Sequence, residues 1–324
     1  MEFIITIDTE ADNQWIERND KITVENLKFI PRFQLLCEKY HFIPTYLCTY
    51  EIVESKDFDC TILEYHKQGK AEIGAHLHPW TNPPFENINE MEKHLFPTEL
   101  SKDLYRKKLK NLSNLIEKKT GKKPTSYRAG RWGFNSDHIP ILLEFEFIVD
   151  CSVTPLLDWS SQVGLNKHGE NFNYAPCEPY YLNLNDVCKK GDLKLIEVPP
   201  TIIFTNNLMN KSKILQTFYF KHRNSIITNA INKIFHIHPQ WLRPYPGTDE
   251  KNLINICKVA MKRNFQYVQL TFHSSELMPK GSPYSPTEES VEICYKKVEN
   301  AFKYLSSCNC KGSNLTDFSL RARK

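Results

Sequence analysis

Close to the start of the chain, Ile4–Ile7 form a branched apolar run that ends on three carboxylates, Asp8, Glu10 and Asp12. A run with no polar alternation fits a strand covered on both faces, as in a parallel sheet. Parallel strands need long crossovers, usually helical, and the chain has the patterns for them. A helix is predicted from about Val24 to Tyr40, with Leu27, Ile30, Phe33, Leu36 and Cys37 on one stripe and Pro31 kinking it or marking its start. "PTYLCTY", "AEIGAHLH", "EFIVDCSVT", "LKLIEVPPT" and "YVQLTFH" repeat the strand pattern. "CTILEYHKQGK", which Gly69 can end, and a lysine-rich stretch from about Glu99 to Lys118 read as helices. A final helix is predicted over Glu288–Leu305, followed by a short polar tail. The alternation predicts an α/β chain built of βα units.

The 324 residues suit one large domain, 1–324, with insertions at about 156–192 and 205–250. The first insertion is irregular and rich in Asn, Tyr and Pro, and the other carries a helical pattern over Lys211–Ile237. Lys and Arg (42) exceed Asp and Glu (38) by four, too mild a surplus to argue for nucleic acid. No apolar run approaches the ~20 residues that span a bilayer. The ten cysteines show no CxxC spacing and are expected to be reduced core thiols. A first strand beginning at Glu2 or Phe3 leaves no room for a secretory leader, so a cytoplasmic address is expected.

Chemistry collects at the ends of the strand-like runs. On a strand Asp8 and Glu10 project to one side, and two like charges there ask for a shared cation or proton. His76 and His78 in "EIGAHLHPW" are also two apart, so both imidazoles face one way and can chelate a divalent metal. "FHIHPQW" repeats the spacing with His236 and His238, but behind a helical pattern, and ranks below the first pair. "YRAGRWGF" places Arg128 and Arg131 around Gly130 and Gly133, where an arginine can keep a carboxylate ionised. "IVDCSVTP" places Asp150 at a strand end, and "LTFHSSEL" does the same for His273, with Glu276 just beyond. His273 suits a general acid, with Asp150 as its orienting partner. Trp15, Trp80, Trp132 and Trp159 offer flat faces for a sugar ring, or fill the core.

In order and rough spacing, "IDTEAD", "HLHPW", "YRAGRW", "VDCSVTP" and "LTFH" resemble the five motifs of the polysaccharide deacetylase family, the NodB-homology group of carbohydrate esterases. The likeness runs from residue 3 to about 276 and is greatest to a D-x-E branch found around surface-polysaccharide and O-antigen synthesis. It implies a distorted (β/α)7–8 barrel. It also implies a base and a metal carboxylate from the first motif, a histidine pair on the metal, an arginine tuning the base, an aspartate in the groove and a late histidine acid. By position Asp8 matches the base and Glu10 the metal ligand beside His76 and His78, although the reverse assignment of the two carboxylates stays open. Two departures stand out: the first motif usually has adjacent aspartates, and the histidine motif usually spaces its pair four apart, not two.

The resemblance further implies N-deacetylation of an amino sugar with a divalent metal, most simply Zn2+ for this N/O ligand set. Asp8, Arg128, Asp150 and His273 are then catalytic, and Arg131, Trp132, Trp80, Asp12 and Glu276 face the substrate. The expected substrate is an N-acetylated saccharide on a nucleotide or a lipid. The run "KDLYRKKLKNLSNLIEKKTGKK" is a candidate for peripheral membrane contact. Alternatives are hydrolysis of a small cyclic amide or imide, or carbohydrate binding without turnover.

Overall fold

The computed structural model describes residues 1–15, 22–86, 95–223, 225, 228 and 237–322. In chain order the strands among them are β1 (Glu2–Thr9), β2 (Pro44–Cys48), β3 (Glu72–Leu77), β4 (Ser126–Ala129), β5 (Val149–Asp150), β6 (Tyr180–Asn183), β7 (Asp186–Lys190), β8 (Ile196–Glu197), β9 (Ile202–Phe204), β10 (Pro239–Trp241), β11 (Tyr267–His273) and β12 (Lys311–Ser313). The main sheet runs β11-β1-β2-β3-β4-β5-β8, parallel throughout, and antiparallel β6 and β7 extend it beyond β8. Irregular chain leaving β8 reaches back to the far edge. Gln269 donates its backbone N–H to Thr201 Oγ1 at 2.8 Å, and the Tyr267 hydroxyl donates to the Pro199 carbonyl. The sheet therefore curls into a distorted, incompletely paired (β/α) barrel, the architecture expected from the motif order.

Alternation along β1 explains why its apolar run is continuous. Phe3, Ile5 and Ile7 join the outer core with Phe33, Cys37 and Phe302 under the helices, while Ile4 packs inward with Leu47, Val149, Ile196 and Tyr267. Thr6 and Asp8 share the inward phase of Ile4, so the barrel interior turns from apolar to polar toward its upper end.

Local chemistry sets the helix ends. Pro31 sits in the first turn of helix Ile30–Lys39, behind a 3-10 turn over Glu25–Phe29, so it marks a start and not a kink. Ser101 caps helix Lys102–Thr120 by accepting from the Leu104 N–H, and Gly121 closes it at φ 77°. The expected start near Glu99 is displaced because the Glu99 carboxylate gathers the backbone N–H groups of Phe96, Leu165, Asn166 and Lys167 instead.

Three expectations need correction. The first insertion is not wholly irregular, since β6 and β7 within it are part of the main sheet. The polar tail is not a tail: β12 pairs with Glu2–Ile4 ahead of where β2 takes over at Ile5, and helix Leu315–Ala322 buries Leu315 and Phe318 beneath the barrel. Cys60 and Cys308 are exposed, although Cys37, Cys48, Cys151, Cys257, Cys294 and Cys310 are buried as expected.

Candidate active site

Sheet register assembles the site. Asp8 on β1 lies opposite His273 on β11, and His76 on β3 lies opposite Arg128 on β4. Glu10, just past β1, and His78, just past β3, complete the cluster. The carboxylates, His76, His78 and Arg128 are all buried, and His273 is nearly so.

Glu10 Oε2 lies 2.8 Å from His78 Nε2 and 3.6 Å from His76 Nε2, and the two imidazole nitrogens are 2.9 Å apart. His76 Nδ1 is 2.9 Å from the Arg128 carbonyl; a carbonyl can only accept, so Nδ1 carries a proton, and in the neutral ring Nε2 presents a lone pair. Three electron-rich atoms this close in a dry setting require a proton or cation among them. Two nitrogens and a carboxylate oxygen, all within 4.8 Å of one another, fit a Zn2+-type ion with an open position for water or substrate. Gly130 makes the packing achievable: a Cβ there would stand 2.6 Å from the Leu77 carbonyl and 3.0 Å from His78 Nδ1. Burial raises the Glu10 carboxyl, but His273, His76 and His78 outweigh it and hold the group well below the usual range. Burial depresses His78, which His76 pushes the same way, whereas for His76 the Asp8 and Glu10 charges overcome burial and raise it.

Asp8 is held apart from this triad. Its Oδ1 accepts from Arg128 Nη1 at 2.5 Å, while Arg128 Nε donates to the Cys151 carbonyl at 3.1 Å and Nη2 to Thr6 Oγ1 at 2.9 Å. Burial pushes the Asp8 carboxyl up; the Arg128 guanidinium, with His76 and His273, overrides it and holds it below the ordinary value. The structure thus places Glu10 against the imidazoles and Asp8 against the arginine.

On the other side, His273 Nε2 stands 3.8 Å from Asp8 Oδ2 and 3.9 Å from Glu10 Oε1, leaving room between them for a small group. Its Nδ1 is 2.8 Å from Glu276 Oε1 and 2.8 Å from Arg243 Nη2, which itself donates to Glu276 Oε1 at 2.5 Å. Glu276 and Arg243 therefore fix the ring from behind. Burial raises the Glu276 carboxyl, but Arg243 and His273 lower it overall. Sequence reasoning misses Arg243, because "WLRPYPG" reads as an exposed turn. It is buried, its guanidinium 4.5 Å from the Tyr245 ring centre and 5.1 Å from that of Tyr284.

Several predicted roles move. Asp150 does not orient His273: it accepts from the Ser152 N–H and hydroxyl and lies opposite Glu197, a fully buried acid not foreseen. Burial, then the neighbouring Asp150, drive the Glu197 carboxyl well above the usual carboxylate range. Asp12 does not face substrate; it accepts from the Glu25 and Asn26 N–H groups and caps the turn there. Glu276 is spent on His273 and Arg243. Trp80 is buried against His78 and donates to Gln14, and Trp132 is buried between Arg128 and Trp241, so neither offers a free face. Arg131 lies over the Phe96 ring at 3.9 Å and donates to the Val163 carbonyl. Trp159 donates to Thr154 Oγ1. Trp15 is 38% exposed and makes a T-shaped contact with His273, the ring centres 4.8 Å apart, so it borders the site with part of its surface open to solvent. His238 is half-buried, and its sequence partner His236 lies outside the described residues.

No protein-family model matches the sequence, and no curated protein matches it. Solved structures do match in fold. A protein assigned as a glycoside hydrolase/deacetylase from Parabacteroides distasonis superposes with a TM-score of 0.64 at 12% identity, over 99% of this chain and 71% of its own. One assigned as a polysaccharide deacetylase from Mycobacterium smegmatis gives 0.55 at 14%, over 99% and 91%. The chain has the polysaccharide deacetylase fold. A GH57-type branching enzyme from Pyrococcus horikoshii gives a TM-score of 0.54 at 9% identity, over all of this chain (100%) and 70% of its own. A shared fold does not fix the chemistry, which rests on the side chains.

Proposed function

We propose that this protein is a divalent-metal-dependent N-deacetylase that removes the acetyl group from an N-acetylated amino sugar of a cell-surface polysaccharide or O-antigen precursor, carried on a nucleotide or a lipid. The observation that carries the reading is the division of labour between two neighbouring carboxylates, Glu10 on the imidazole pair and Asp8 on Arg128. Glu10, His76 and His78 would hold the ion. When bound, such an ion supplies a Lewis acid that polarises an amide carbonyl and makes water more acidic.

The remaining work belongs to the chain. Asp8, kept ionised by Arg128, is the base that takes the proton from the attacking water. His273 presents Nε2 from the opposite side and gives a proton to the departing amine nitrogen as the C–N bond breaks. Glu276 and Arg243 hold its ring in line. A glycosidase would need carboxyls flanking the scissile bond from opposite sides. Here Asp8 and Glu10 are neighbours on one run and approach the same imidazole nitrogen. Trp15 offers the sugar a flat apolar surface.

The test is acetate release from a panel of nucleotide-linked and lipid-linked N-acetyl sugars by the zinc-loaded protein. Equal amounts of acetate and free amine are expected from at least one member. No acetate from any member, or an unchanged rate in Asp8→Asn, overturns the proposal.

A further inference from the structure

The insertion that follows β9 presents apolar side chains to solvent in one place. In helix Lys213–His222, Ile214 is 82% exposed, Phe218 60% and Leu215 41%; Leu208, in the preceding helix Asn207–Lys211, is 70% exposed. Ile214, Phe218 and Lys221 follow at i, i+4 and i+7 and so share a face. The other side of the helix is anchored: the Tyr219 ring centre is 5.7 Å from that of Phe204, and Phe220 lies 5.4 Å from Tyr174. Exposed single leucines are ordinary, but a cluster held outward by an anchored helix marks a contact surface.

Charge decides what the surface meets. Residues 207–223 contain Lys211, Lys213, Lys221 and Arg223 and no acidic residue, a surplus of four in a chain whose overall surplus is 42 minus 38, also four. Arg223 is paired with Asp158. Among the described residues no acid pairs with Lys211, Lys213 or Lys221. The lysine-rich run expected to touch a membrane is different. Lys102, Arg106, Lys107, Lys119 and Lys123 pair with Asp137, Glu144, Glu86, Asp59 and Glu146, and Lys108 is buried on backbone carbonyls. Lys110, Lys118 and Lys122 of that run have no acid partner among the described residues either, but no large hydrophobic over 102–123 is exposed, whereas the 207–223 surface exposes Leu208, Ile214, Leu215 and Phe218. Exposed aliphatic and aromatic side chains interspersed with lysines that no described acid pairs match the boundary of an anionic bilayer, where apolar groups enter the acyl region and lysines reach phosphates.

We propose that the face carrying Leu208, Ile214, Leu215 and Phe218, rimmed by Lys211, Lys213 and Lys221, docks reversibly on an anionic lipid surface. The inference does not depend on the hydrolase reading, because none of these residues belongs to the site.

The test is co-sedimentation of the full chain with vesicles of equimolar phosphatidylglycerol and phosphatidylcholine, against pure phosphatidylcholine, at low and high salt. Sedimentation with the anionic vesicles that fades with salt is expected. Ile214→Asp with Phe218→Asp should weaken it about tenfold or more. Lys211→Glu with Lys221→Glu should weaken it by about 25-fold or more, at roughly fivefold per lysine. Asp8→Asn should sediment like the unaltered protein, which separates this result from the catalytic one. Absence of sedimentation at low salt, equal sedimentation with neutral vesicles, or unchanged sedimentation of both double variants overturns the proposal. So does a dimer that Phe218→Asp dissociates in a protein that ignores lipid.

Discussion

Arg128→Met removes the cation that makes Asp8 tolerable in the barrel interior. Arg128 has no exposed surface and Asp8 is 2% exposed, so water screens neither partner. The substitution breaks the contacts to Asp8, Thr6 and Cys151 and leaves a buried carboxylate without its main partner. Breaking a buried pair from one side costs about 3–5 kcal/mol, a large share of a typical total of roughly 5–15 kcal/mol. The dependence on pH has a definite sign. In the unaltered protein the Asp8 carboxyl is lowered, so its stabilisation is present above the unfolded value of 3.8 and lost as pH falls through the folded one. Without Arg128, burial is opposed only by His76 and His273, so the Asp8 carboxyl moves up from its lowered position and the variant's deficit should shrink as pH falls and Asp8 takes a proton. The gap between the two proteins should be widest at neutral pH and narrow in acid. Urea unfolding of metal-free protein measures it, with Asp8→Asn and the double variant completing a cycle. A loss below about 1 kcal/mol, a gap that ignores pH, or additivity with Asp8→Asn refutes the reasoning.

Asp8→Asn should retain metal and lose about 10²–10⁴-fold in turnover, and His273→Ala should do likewise; steady-state rates with metal content checks decide. Arg243→Met should lower kcat far more than it raises KM, because Arg243 sits behind His273 and not on the substrate side; a fall confined to KM contradicts that. Glu197→Gln should be nearly neutral in acid. The folded Glu197 carboxyl is raised above its unfolded value of 4.5, so the native protein loses that contribution as pH rises and the glutamine variant does not. Melting temperatures across pH should therefore favour the variant progressively toward alkaline pH.

Much of the site is legible in the sequence because strand register is a simple rule. "YVQLTFH" is the seven-residue strand β11 with His273 as its last residue, and the two-residue spacing in His76/His78 and Asp8/Glu10 does put each pair on one side. What fails depends on distant partners. Arg243 follows Trp241 and Leu242 in a proline-rich stretch that reads as exposed. Its burial comes from Tyr284 and Glu276, more than thirty positions later. Asp150 suggests itself for His273 because both end strands, yet its register neighbour is Glu197; an acid inside the apolar "LKLIEVPPT" is the available signal. Leu315 and Phe318, three apart in a largely polar ending, are a helical signal that the short length conceals. Asp12 suggests a substrate contact by its proximity to Asp8 and Glu10, but a short polar side chain after a strand is equally suited to capping the next turn.

The most direct measurement is the metal content of the purified protein by elemental analysis, for the unaltered chain, Glu10→Gln, His76→Ala and Asp8→Asn. Paired imidazoles facing Glu10 predict one tightly held divalent ion per chain, lost from Glu10→Gln and His76→Ala and retained by Asp8→Asn. A chain that takes up no ion when offered zinc, or one that loses it through Asp8→Asn while keeping it through Glu10→Gln, contradicts the assignment.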